Sequence, residues 1–269
     1  MRHIDEDTIT QAVIERHAAA GDARLREVAT SLVQHLHAFA RDVKLTEDEW
    51  AEGTRFLADC GVASAAGRSE VTLLSDALGL TALVTAVNQR KPRGCTEASV
   101  LPSTPGEPDR REDEPGEPLY VRGRVRALDG SPIAGAQVRI ASGDGRRGEV
   151  HRTGADGSFV CKTSVAAPQP VAHDGPVGRL LQALGRPPWR PAHLHITIDA
   201  PSYERLATQL FRRGDPYLDL DAVFGVRSSL VADWLRHAAG PTPDGKASSL
   251  PFTTLDFDFV LNATTGDKS

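Results

Sequence analysis

The spacing of the apolar residues changes abruptly along this chain, at a proline-rich segment between Lys91 and Pro118. Before this segment, apolar side chains recur every three or four residues, which is the period of an amphipathic helix. After it, apolar and polar residues alternate, and Asp-Gly pairs separate the alternating runs, as in strands joined by tight turns. The sequence therefore predicts an α+β protein, in which a helical N-terminal region precedes an antiparallel β-sandwich.

The helical region carries its own start signals. Thr46 is followed three residues later by Glu49, the spacing of a capping box that opens a helix. A further helix is predicted through residues 73–84, with a start near Ser69. We place the domain boundary within the proline-rich segment, which gives a helical domain over residues 1–103 and a sandwich domain over residues 104–269.

Composition limits the classes of function. A chain of 269 residues can form a full hydrophobic core, and a net charge of −5 without a basic cluster argues against nucleic-acid binding. No apolar run approaches the ~20 residues of a membrane-spanning helix. The N-terminus has no apolar signal-peptide region, and the three cysteines are widely spaced. We therefore expect a cytoplasmic protein without a membrane span.

Two histidines stand two residues apart, His193 and His195, on a predicted strand. Residues i and i+2 of a strand share one face, so the two imidazoles would lie side by side, as half of a metal site. His35 and His37 have the same spacing but fall in a predicted helix. Residues two apart on a helix diverge by about 200°, so this second pair is not expected to share a metal.

The motifs around His193 and His195 resemble those of the intradiol ring-cleavage dioxygenases, the family of the catechol and hydroxyquinol 1,2-dioxygenases. The similar segments lie at residues 24–28, 36–39, 45–50, 73–79, 118–125, 174–181, 188–191, 208–211, 214–219 and 221–226. The resemblance implies a homodimer formed through the N-terminal helices, with lipid as a further partner at the dimer interface. It also implies a small aromatic substrate, and the segment containing Asp76 is more similar to hydroxyquinol than to catechol enzymes.

The family holds non-haem Fe(III) with two histidines and two tyrosines, and only the histidines are matched here. His193 and His195 align with the histidine ligands, whereas Gln169 occupies the position of one tyrosine. The segment 140–148, where the second tyrosine would follow, is shortened and contains none. The three tyrosines of the chain fall in motifs where the family's aromatic residue is structural; they are Tyr120, Tyr203 and Tyr217.

Three residues are candidates to complete the remnant site. The Gln169 amide oxygen could ligate weakly but could not act as a base. His173 lies close to the position of the lost tyrosine and would give a three-histidine site for Zn, Fe(II), Cu or Ni, or it is an exposed loop residue. His151 is a further candidate. The cofactor is accordingly expected to be iron or another divalent transition metal, or there is none, with the histidines retained as packed relics.

The resemblance also implies roles for residues around the histidines. Arg190 would stabilise negative charge on the substrate, which makes Arg190, Gln169 and His173 the candidate catalytic residues. The candidate substrate-binding residues are Leu73, Asp76, Val100, Leu101 and Gln209. For Arg190 and Gln209, a packing role in the sandwich is the alternative.

Three functions remain open on this basis. The first is a ring-cleaving enzyme that acts on a catechol-type or hydroxyquinol-type ring at an altered metal site. The second is a repurposed enzyme, such as a cyclase, an isomerase or another oxidase of aromatic or polyketide-like secondary metabolites. The third is a non-catalytic binding or dimerisation homologue. The retained Arg190, His193 and His195 favour an enzyme, and the loss of both phenolates predicts weak or absent Fe(III) intradiol cleavage.

Overall fold

The structure is a computed structural model that describes residues 4–65, 68–100, 116–142, 148 and 150–264. Two compact units are present, residues 1–58 and residues 59–269. The helices are α1 (Ile9–His17), α2 (Ala23–Asp42), α3 (Glu47–Ala63), α4 (Glu70–Ala77), α5 (Leu80–Asn88) and α6 (Pro176–Ala183). The strands are β1 (Pro118–Ala127), β2 (Gln137–Ala141), β3 (Val150–Arg152), β4 (Ser158–Ser164), β5 (Gln169–Pro170), β6 (Trp189–Arg190), β7 (His193–Asp199), β8 (Leu206–Arg212), β9 (Val231–Ala232), β10 (Trp234–His237), β11 (Gly240–Pro241), β12 (Ala247–Ser248), β13 (Phe252–Asp256) and β14 (Phe259–Leu261).

Helix α2 contains the second histidine pair, and the two rings have different partners. His37 Nδ1 lies 2.9 Å from the hydroxyl of Thr10 on α1, whereas His35 Nδ1 donates to the backbone carbonyl of Ser31. The two side chains therefore diverge, as the helical spacing predicts. Asp22 caps the helix by accepting hydrogen bonds from two backbone N–H groups of its first turn.

The predicted start signals are present, but the last predicted helix is interrupted. Thr46 and Glu49 form the capping box of α3, with the Glu49 carboxylate accepting from the Thr46 backbone N–H at 2.9 Å. Ser69 caps α4 through its hydroxyl, which accepts from the Thr72 backbone N–H at 3.2 Å. The helix predicted through residues 73–84 is instead two helices, α4 and α5, which meet at an angle of 76°. Gly79 has φ 73°, a left-handed conformation that ends α4 and redirects the chain.

Within the described ranges, no single helix is long and apolar enough to cross a membrane. Only α4 and α5 taken together pass that test, and they are strongly bent at their junction.

The second unit contains two five-stranded sheets that pack face to face, besides the two-stranded pairs β5-β6 and β11-β12. One has the strand order β10-β13-β1-β14, with β4 also paired to β1, and the other has the order β3-β2-β7-β8-β9. Strand β1 runs parallel to β13 and β14 and antiparallel to β4, so the first sheet is mixed rather than purely antiparallel as predicted. The side chains between the sheets include Leu119, Val121, Val138, Ile140, Leu194, Ile196, Ile198, Leu210, Leu255 and Phe259.

Residues 252–261 form two strands, β13 and β14, rather than one, and Gly123 on β1 accounts for the division. The carbonyl oxygen of Phe257 approaches so closely that a Cβ atom on Gly123 would lie 1.8 Å from it. The Phe257 backbone N–H donates to the Arg122 carbonyl at 3.0 Å. Pairing with β1 thus passes from β13 to β14 at this close approach, which a side chain at position 123 would block.

Strand β7 carries core residues on one face and the histidine pair on the other. Its register places His193 opposite Phe211 and His195 opposite Gln209 on β8. The intervening Leu194 faces the core with the other even-numbered residues of the strand. Since side chains alternate along a strand, both histidines and Gln209 lie on the face of this sheet that is turned away from the sandwich core.

Gly123→Ala should destabilise the second unit, because the added methyl group would force the backbone at Phe257 to move. We expect a loss of about 1–3 kcal/mol or more in the free energy of unfolding, measured by chemical denaturation. Gly53→Ala on α3 is the control, since a Cβ atom there meets nothing within 4 Å; it should leave stability unchanged or raise it by up to about 1 kcal/mol. A Gly123→Ala protein as stable as the wild type would contradict the described crossover.

Candidate functional site

The two strand-borne histidines are buried and adjacent. His193 and His195 are each 5% exposed. Their ring centroids are 4.8 Å apart, and the ring planes are inclined by 75°. His193 Nδ1 donates to the Pro191 carbonyl at 2.7 Å. Burial, followed by the charge of Arg190 and the neighbouring His195, lowers the pKa of His193 well below its usual value, so this ring is neutral at pH 7.

Arg190 lies at the centre of a hydrogen-bonded cluster. From β6, its Nε donates to Asp221 Oδ1 at 3.1 Å, and its Nη1 donates to His193 Nε2 at 3.2 Å. Asp221 also accepts from the backbone N–H groups of Gly225 at 2.8 Å and Val223 at 3.3 Å. The buried guanidinium therefore has a carboxylate partner, and that carboxylate is itself held by backbone donors.

Gln209 connects Arg190 to the second histidine. Its Oε1 accepts from Arg190 Nη2 at 3.0 Å, and its Nε2 lies 3.2 Å from His195 Nδ1. Ser99 lies beside Gln209, and its hydroxyl donates to the Gly225 carbonyl at 2.7 Å. We call Arg190, His193, His195, Gln209 and Asp221 the arginine cluster.

Gly225 is the close-packed neighbour of the arginine cluster. A Cβ atom at this position would lie 2.9 Å from Arg190 Nη2, 3.2 Å from Asp221 Oδ2 and 3.3 Å from Gln209 Oε1. A side chain here would displace the guanidinium group from its partners, so the cluster requires glycine at position 225.

Helix α4 supplies a second, less satisfied carboxylate. Asp76 is 5% exposed, and its Oδ1 has no hydrogen-bond partner among the described residues. Burial raises the pKa of Asp76, while a hydrogen bond with Thr81 and the positive charge of Arg190 act in the opposite direction. The candidate substrate residues Leu73 and Val100 are buried as well, whereas Leu101 lies outside the described residues.

Two polar side chains hold α4 in position. Arg186 donates to the Ala77 carbonyl at 2.6 Å and to the Ala222 carbonyl at 3.1 Å, which joins the end of α4 to the loop that follows Asp221. Glu70 accepts from the backbone N–H of Val177 at 2.9 Å, in the first turn of α6. The helix with Asp76 is thereby tied to the loop that forms part of the arginine cluster.

The predicted replacement ligands are placed differently from one another. Gln169 on β5 is the antiparallel partner of Arg190 on β6, so the two side chains extend from the same side of this strand pair. His173 is exposed, and its Nδ1 donates to the Val171 carbonyl at 3.0 Å. In the described part of the chain, no three His, Cys, Asp or Glu residues are grouped to hold a metal. The structure therefore does not bring His173 together with the histidine pair.

His151 is on the wrong face of the sheet to replace a lost ligand. It is paired with Val138, which is paired on its other side with Ile198. Val138 and Ile198 are core residues, so His151 extends from the face of the sheet opposite to the face that carries His195. The geometry of the described sheet therefore disfavours His151 among the candidate replacement ligands.

Comparisons with known proteins cover almost the whole chain. Residues 22–96 match the family model described as the catechol dioxygenase N terminus, and residues 100–263 match the dioxygenase family model. The 6-chlorohydroxyquinol 1,2-dioxygenase of Cupriavidus pinatubonensis is 47% identical, over 98% of this chain and all of the relative. This chain belongs to the intradiol ring-cleavage dioxygenase family. It is an enzyme of that family, and the resemblance and the α+β fold expected from the sequence are confirmed.

Two further relatives agree, one compared in sequence and the other in structure. The hydroxyquinol 1,2-dioxygenase of Nocardioides simplex is 38% identical over 95% of this chain and 95% of its own. The solved structure of the hydroxyquinol 1,2-dioxygenase from Pseudomonas putida DLL-E4 has a TM-score of 0.87 and 35% identity, over 96% of this chain and 98% of that chain. The alignment with the Cupriavidus relative spans 287 positions, which is more than the 269 residues of this chain, so the relative contains residues that this chain lacks.

The tyrosines of this intradiol family member are all accounted for. Tyr120 lies on β1 of the first sheet, with its ring edge-on to Phe252 at 5.6 Å. Tyr203 forms an isolated bridge with Ala263. Tyr217 stacks on Trp189 at 5.4 Å, and Trp189 precedes Arg190 on β6, so its side chain extends to the opposite side.

The donor set of this chain does not fit the ferric ion of its family. Intradiol dioxygenases use non-haem iron, and Fe(III) is stabilised by hard anionic donors. At this site the described residues offer two imidazoles, those of His193 and His195. The Nε2 atom of His193 accepts a hydrogen bond from Arg190. The sequence has no fourth tyrosine that could supply a phenolate.

Sequence reasoning missed three residues on which the cluster depends, namely Ser99, Asp221 and Gly225. Asp221 lies within a segment that resembles the family, but 31 positions from Arg190. No periodicity links residues that far apart. The available signal was the Asp-Ala-Val-Phe-Gly run itself, whose aspartate and glycine both contact the arginine.

Asp76→Asn should stabilise the protein at pH 7. Because the pKa of Asp76 is raised on folding, the folded state holds this proton more tightly than the unfolded state, and keeping the carboxylate charged at neutral pH costs stability. The difference in melting temperature between variant and wild type should shrink as the pH falls towards 4, where the wild-type carboxyl becomes protonated. The measurement is thermal unfolding across this pH range.

Asp129→Asn is the control for that series. Hydrogen bonds from Ser131 lower the pKa of Asp129, so this carboxylate contributes stability above its ordinary pKa and loses it as the pH falls. Asp129→Asn should therefore give no gain at pH 7. An Asp76→Asn variant that is less stable than the wild type at pH 7 would contradict the described environment of Asp76.

Proposed function

We propose that this protein acts on a hydroxyquinol-type aromatic diol or triol at the arginine cluster, without the ferric tyrosinate centre of its family. The proposal depends chiefly on one observation: Gln169, and not a tyrosine, is the strand partner of Arg190, while every tyrosine of the chain lies elsewhere. Full-length similarity to hydroxyquinol-type dioxygenases supports the substrate class.

In this proposal, substrate recognition is shared between α4 and the second sheet. The unpartnered Oδ1 of Asp76 can accept a hydrogen bond from a substrate hydroxyl, which would satisfy an otherwise costly buried acceptor. Leu73 and Val100 offer buried apolar surface to the ring, and Leu101 is proposed to extend that surface. Gln209 orients the arginine cluster around the substrate oxygens.

Charge stabilisation is assigned to Arg190. A buried guanidinium held by Asp221 is preorganised, so it can stabilise a developing phenolate without reorganising. Gln169, on the same side, can donate or accept a hydrogen bond but cannot take up a proton as a phenolate could.

A second candidate function is isomerisation or cyclisation of a phenolic substrate without oxygen. It is favoured by Asp76, a buried carboxyl with a raised pKa that lies within electrostatic reach of Arg190. A buried carboxyl whose pKa is raised can exchange a proton with a substrate hydroxyl, as general acid–base catalysis requires. The product would then keep the mass of the substrate, whereas dioxygenation adds two oxygen atoms.

We also propose a cytoplasmic homodimer. Family members are typically homodimers. Helix α2 has a stripe of half-exposed apolar side chains, at Leu25, Val28, Leu32, Leu36 and Phe39, that a second copy would cover. Lipid is the proposed additional occupant of that interface. No disulfide joins the three cysteines, all of which lie within the described residues, in keeping with a reducing compartment.

Oxygen consumption and product mass test the proposed function. The purified protein is incubated with hydroxyquinol, 6-chlorohydroxyquinol and catechol, and the products are separated and weighed by mass spectrometry. We expect conversion of a hydroxyquinol-type compound, with oxygen uptake far below that of the Nocardioides hydroxyquinol 1,2-dioxygenase under the same conditions. Rapid oxygen uptake that yields one ring-opened acid per substrate would overturn the account, and so would a failure to bind or convert any of the three compounds.

Gln169→Tyr tests the missing ligand directly. A phenolate beside Arg190 should increase the retention of Fe(III) and produce a visible absorption band from tyrosinate-to-iron charge transfer. Gln169→Phe is the matched control, because it adds the ring without the oxygen. If the two variants have the same iron content and the same visible spectrum, Gln169 does not occupy the position of a tyrosine ligand.

A further inference from the structure

We propose that a cavity on the second unit, apart from the arginine cluster, binds small aromatic carboxylates. The cavity has a volume of about 640 Å³, which is within the range of small-molecule sites. Its wall is formed by the end of α5 and the segment that follows it, by residues 227–230 and by residues 257–260. No residue of the arginine cluster lines this cavity. We call it the basic cavity, and the inference does not depend on the proposed function.

The basic cavity is positively charged, although the chain as a whole has a net charge of −5. Four cationic and two anionic side chains line it, namely Arg90, Lys91, Arg93, Arg227, Glu97 and Asp258. The local excess of positive charge is therefore a property of this surface and not of the composition. A concave surface with such an excess attracts anions.

Both carboxylates of the lining are already engaged by other protein groups. Asp258 accepts hydrogen bonds from the Arg126 side chain and from the Arg124 backbone N–H, the latter at 2.8 Å. Glu97 accepts a hydrogen bond from the Ser229 hydroxyl. The two carboxylates therefore do not pair with the arginines of the lining.

The arginines of the lining have no anionic partner among the described residues. Lys91 forms an ion pair with Glu204, and its side chain is 9% exposed. For Arg90, Arg93 and Arg227, no carboxylate within the described ranges lies at ion-pair distance. Three guanidinium groups thus surround one cavity without a counter-charge, and a bound anion would reduce their mutual repulsion.

Arg227 is the arginine with the most defined position. Its Nη1 donates to the backbone carbonyls of Phe224 at 3.1 Å and Val226 at 3.0 Å. These bonds hold one edge of the guanidinium group, whereas Nε and Nη2 have no hydrogen-bond partner in the described part of the chain. The Nε–H and Nη2–H bonds of an arginine point along a common edge, and that edge matches the two oxygens of a carboxylate.

The buried side of the cavity suits a planar ring. Leu230 is fully buried, and Phe257 and Val260 are half-buried members of the same lining. The Phe257 ring packs against Phe259 with a centroid distance of 4.9 Å. An aromatic ring bound against these side chains would bury apolar surface, which an inorganic anion cannot do. The ligand class is therefore a carboxylate on an aromatic ring.

Benzoate is the probe for a binding titration. In protein with ¹³C-labelled methyl groups, the NMR signals of Ala86, Leu230 and Val260 report on the cavity. We expect saturable shifts of these signals, and Arg227→Gln should weaken the binding about tenfold or more, because charge-assisted hydrogen bonds are lost. Arg212→Gln is the control, since Arg212 is exposed and lies outside the lining. It should bind benzoate as the wild type does.

Neutral benzamide and inorganic phosphate test the two parts of the site separately. Benzamide keeps the ring without the charge, and phosphate keeps the charge without the ring, so both should bind more weakly than benzoate. Binding of either compound as tight as that of benzoate would overturn the ligand class. The site itself would be refuted if benzoate caused no saturable shifts at these methyl groups, or if Arg227→Gln and Arg212→Gln weakened binding equally.

Cys95 provides an independent readout within the cavity. It is partly exposed, whereas Cys60 and Cys161 are 0% and 1% exposed, so thiol reagents should react first at Cys95. Dithiobis(nitrobenzoate) carries carboxylates on its aromatic rings, and dithiodipyridine is a neutral aromatic disulfide. We expect Arg227→Gln to lower the ratio of their reaction rates about tenfold or more, and Arg212→Gln to leave it unchanged. Because both reagents react with the same thiol, the ratio cancels any effect of the substitution on the thiol itself.

An unchanged ratio in Arg227→Gln would contradict the inference. Cys95→Ser should abolish the fast reaction, which checks that the reacting thiol is the one in the cavity. If Arg227→Gln does not fold, Arg93→Gln takes its place, and saturating benzoate should slow the labelling of Cys95 in the wild type. Labelling of the wild type that benzoate leaves unaffected would also overturn the inference.

Discussion

The buried ion pair between Arg190 and Asp221 is the interaction on which the candidate site depends. A buried guanidinium without a partner would cost several kcal/mol, so Asp221 is needed for Arg190 to remain in place. Two backbone N–H groups hold the carboxylate in turn. Gln209 and His193 are then positioned by the arginine, and His195 by Gln209. Position 225 must be glycine because the cluster leaves no space for a side chain there.

Compared with its family, this chain retains the arginine and the two histidines but lacks the two tyrosine ligands. The residues of the arginine cluster are joined to one another by hydrogen bonds between protein groups. The ligands that would make the site a ferric centre are the part that is missing, with Gln169 beside Arg190 in place of a tyrosine. A family fold with an altered site is compatible with altered chemistry, because function depends on the site rather than on the fold.

The features that could be predicted from sequence are those set by local spacing. The capping box at Thr46 and Glu49, the divergence of His35 and His37 and the common face of His193 and His195 all follow from residues two or three apart. The interruption at Gly79 was not predicted, because helical periodicity continues across it. The parallel pairing of β1 with β13 and β14 joins strands more than a hundred residues apart, for which no local pattern exists.

The residues of the candidate site likewise include some that the sequence could predict and some that it could not. The histidine pair was predictable from spacing and Gln169 from resemblance, whereas Asp221, Ser99 and Gly225 act through contacts over long sequence separations. The face that carries His151 depends on the register of β3 against β2, which the sequence does not reveal. The boundary placed between residues 103 and 104 stays a prediction, since residues 101–115 lie outside the described ranges.

The central claim is that this chain lacks the donor set for a ferric ion, and the most direct measurement is its iron content. Protein expressed in iron-replete medium and purified without chelators is analysed by plasma mass spectrometry, with the Nocardioides hydroxyquinol 1,2-dioxygenase prepared in parallel. The account predicts far less than one iron atom per chain for this protein, under conditions in which the relative retains its iron. Tightly bound iron close to one atom per chain would contradict it.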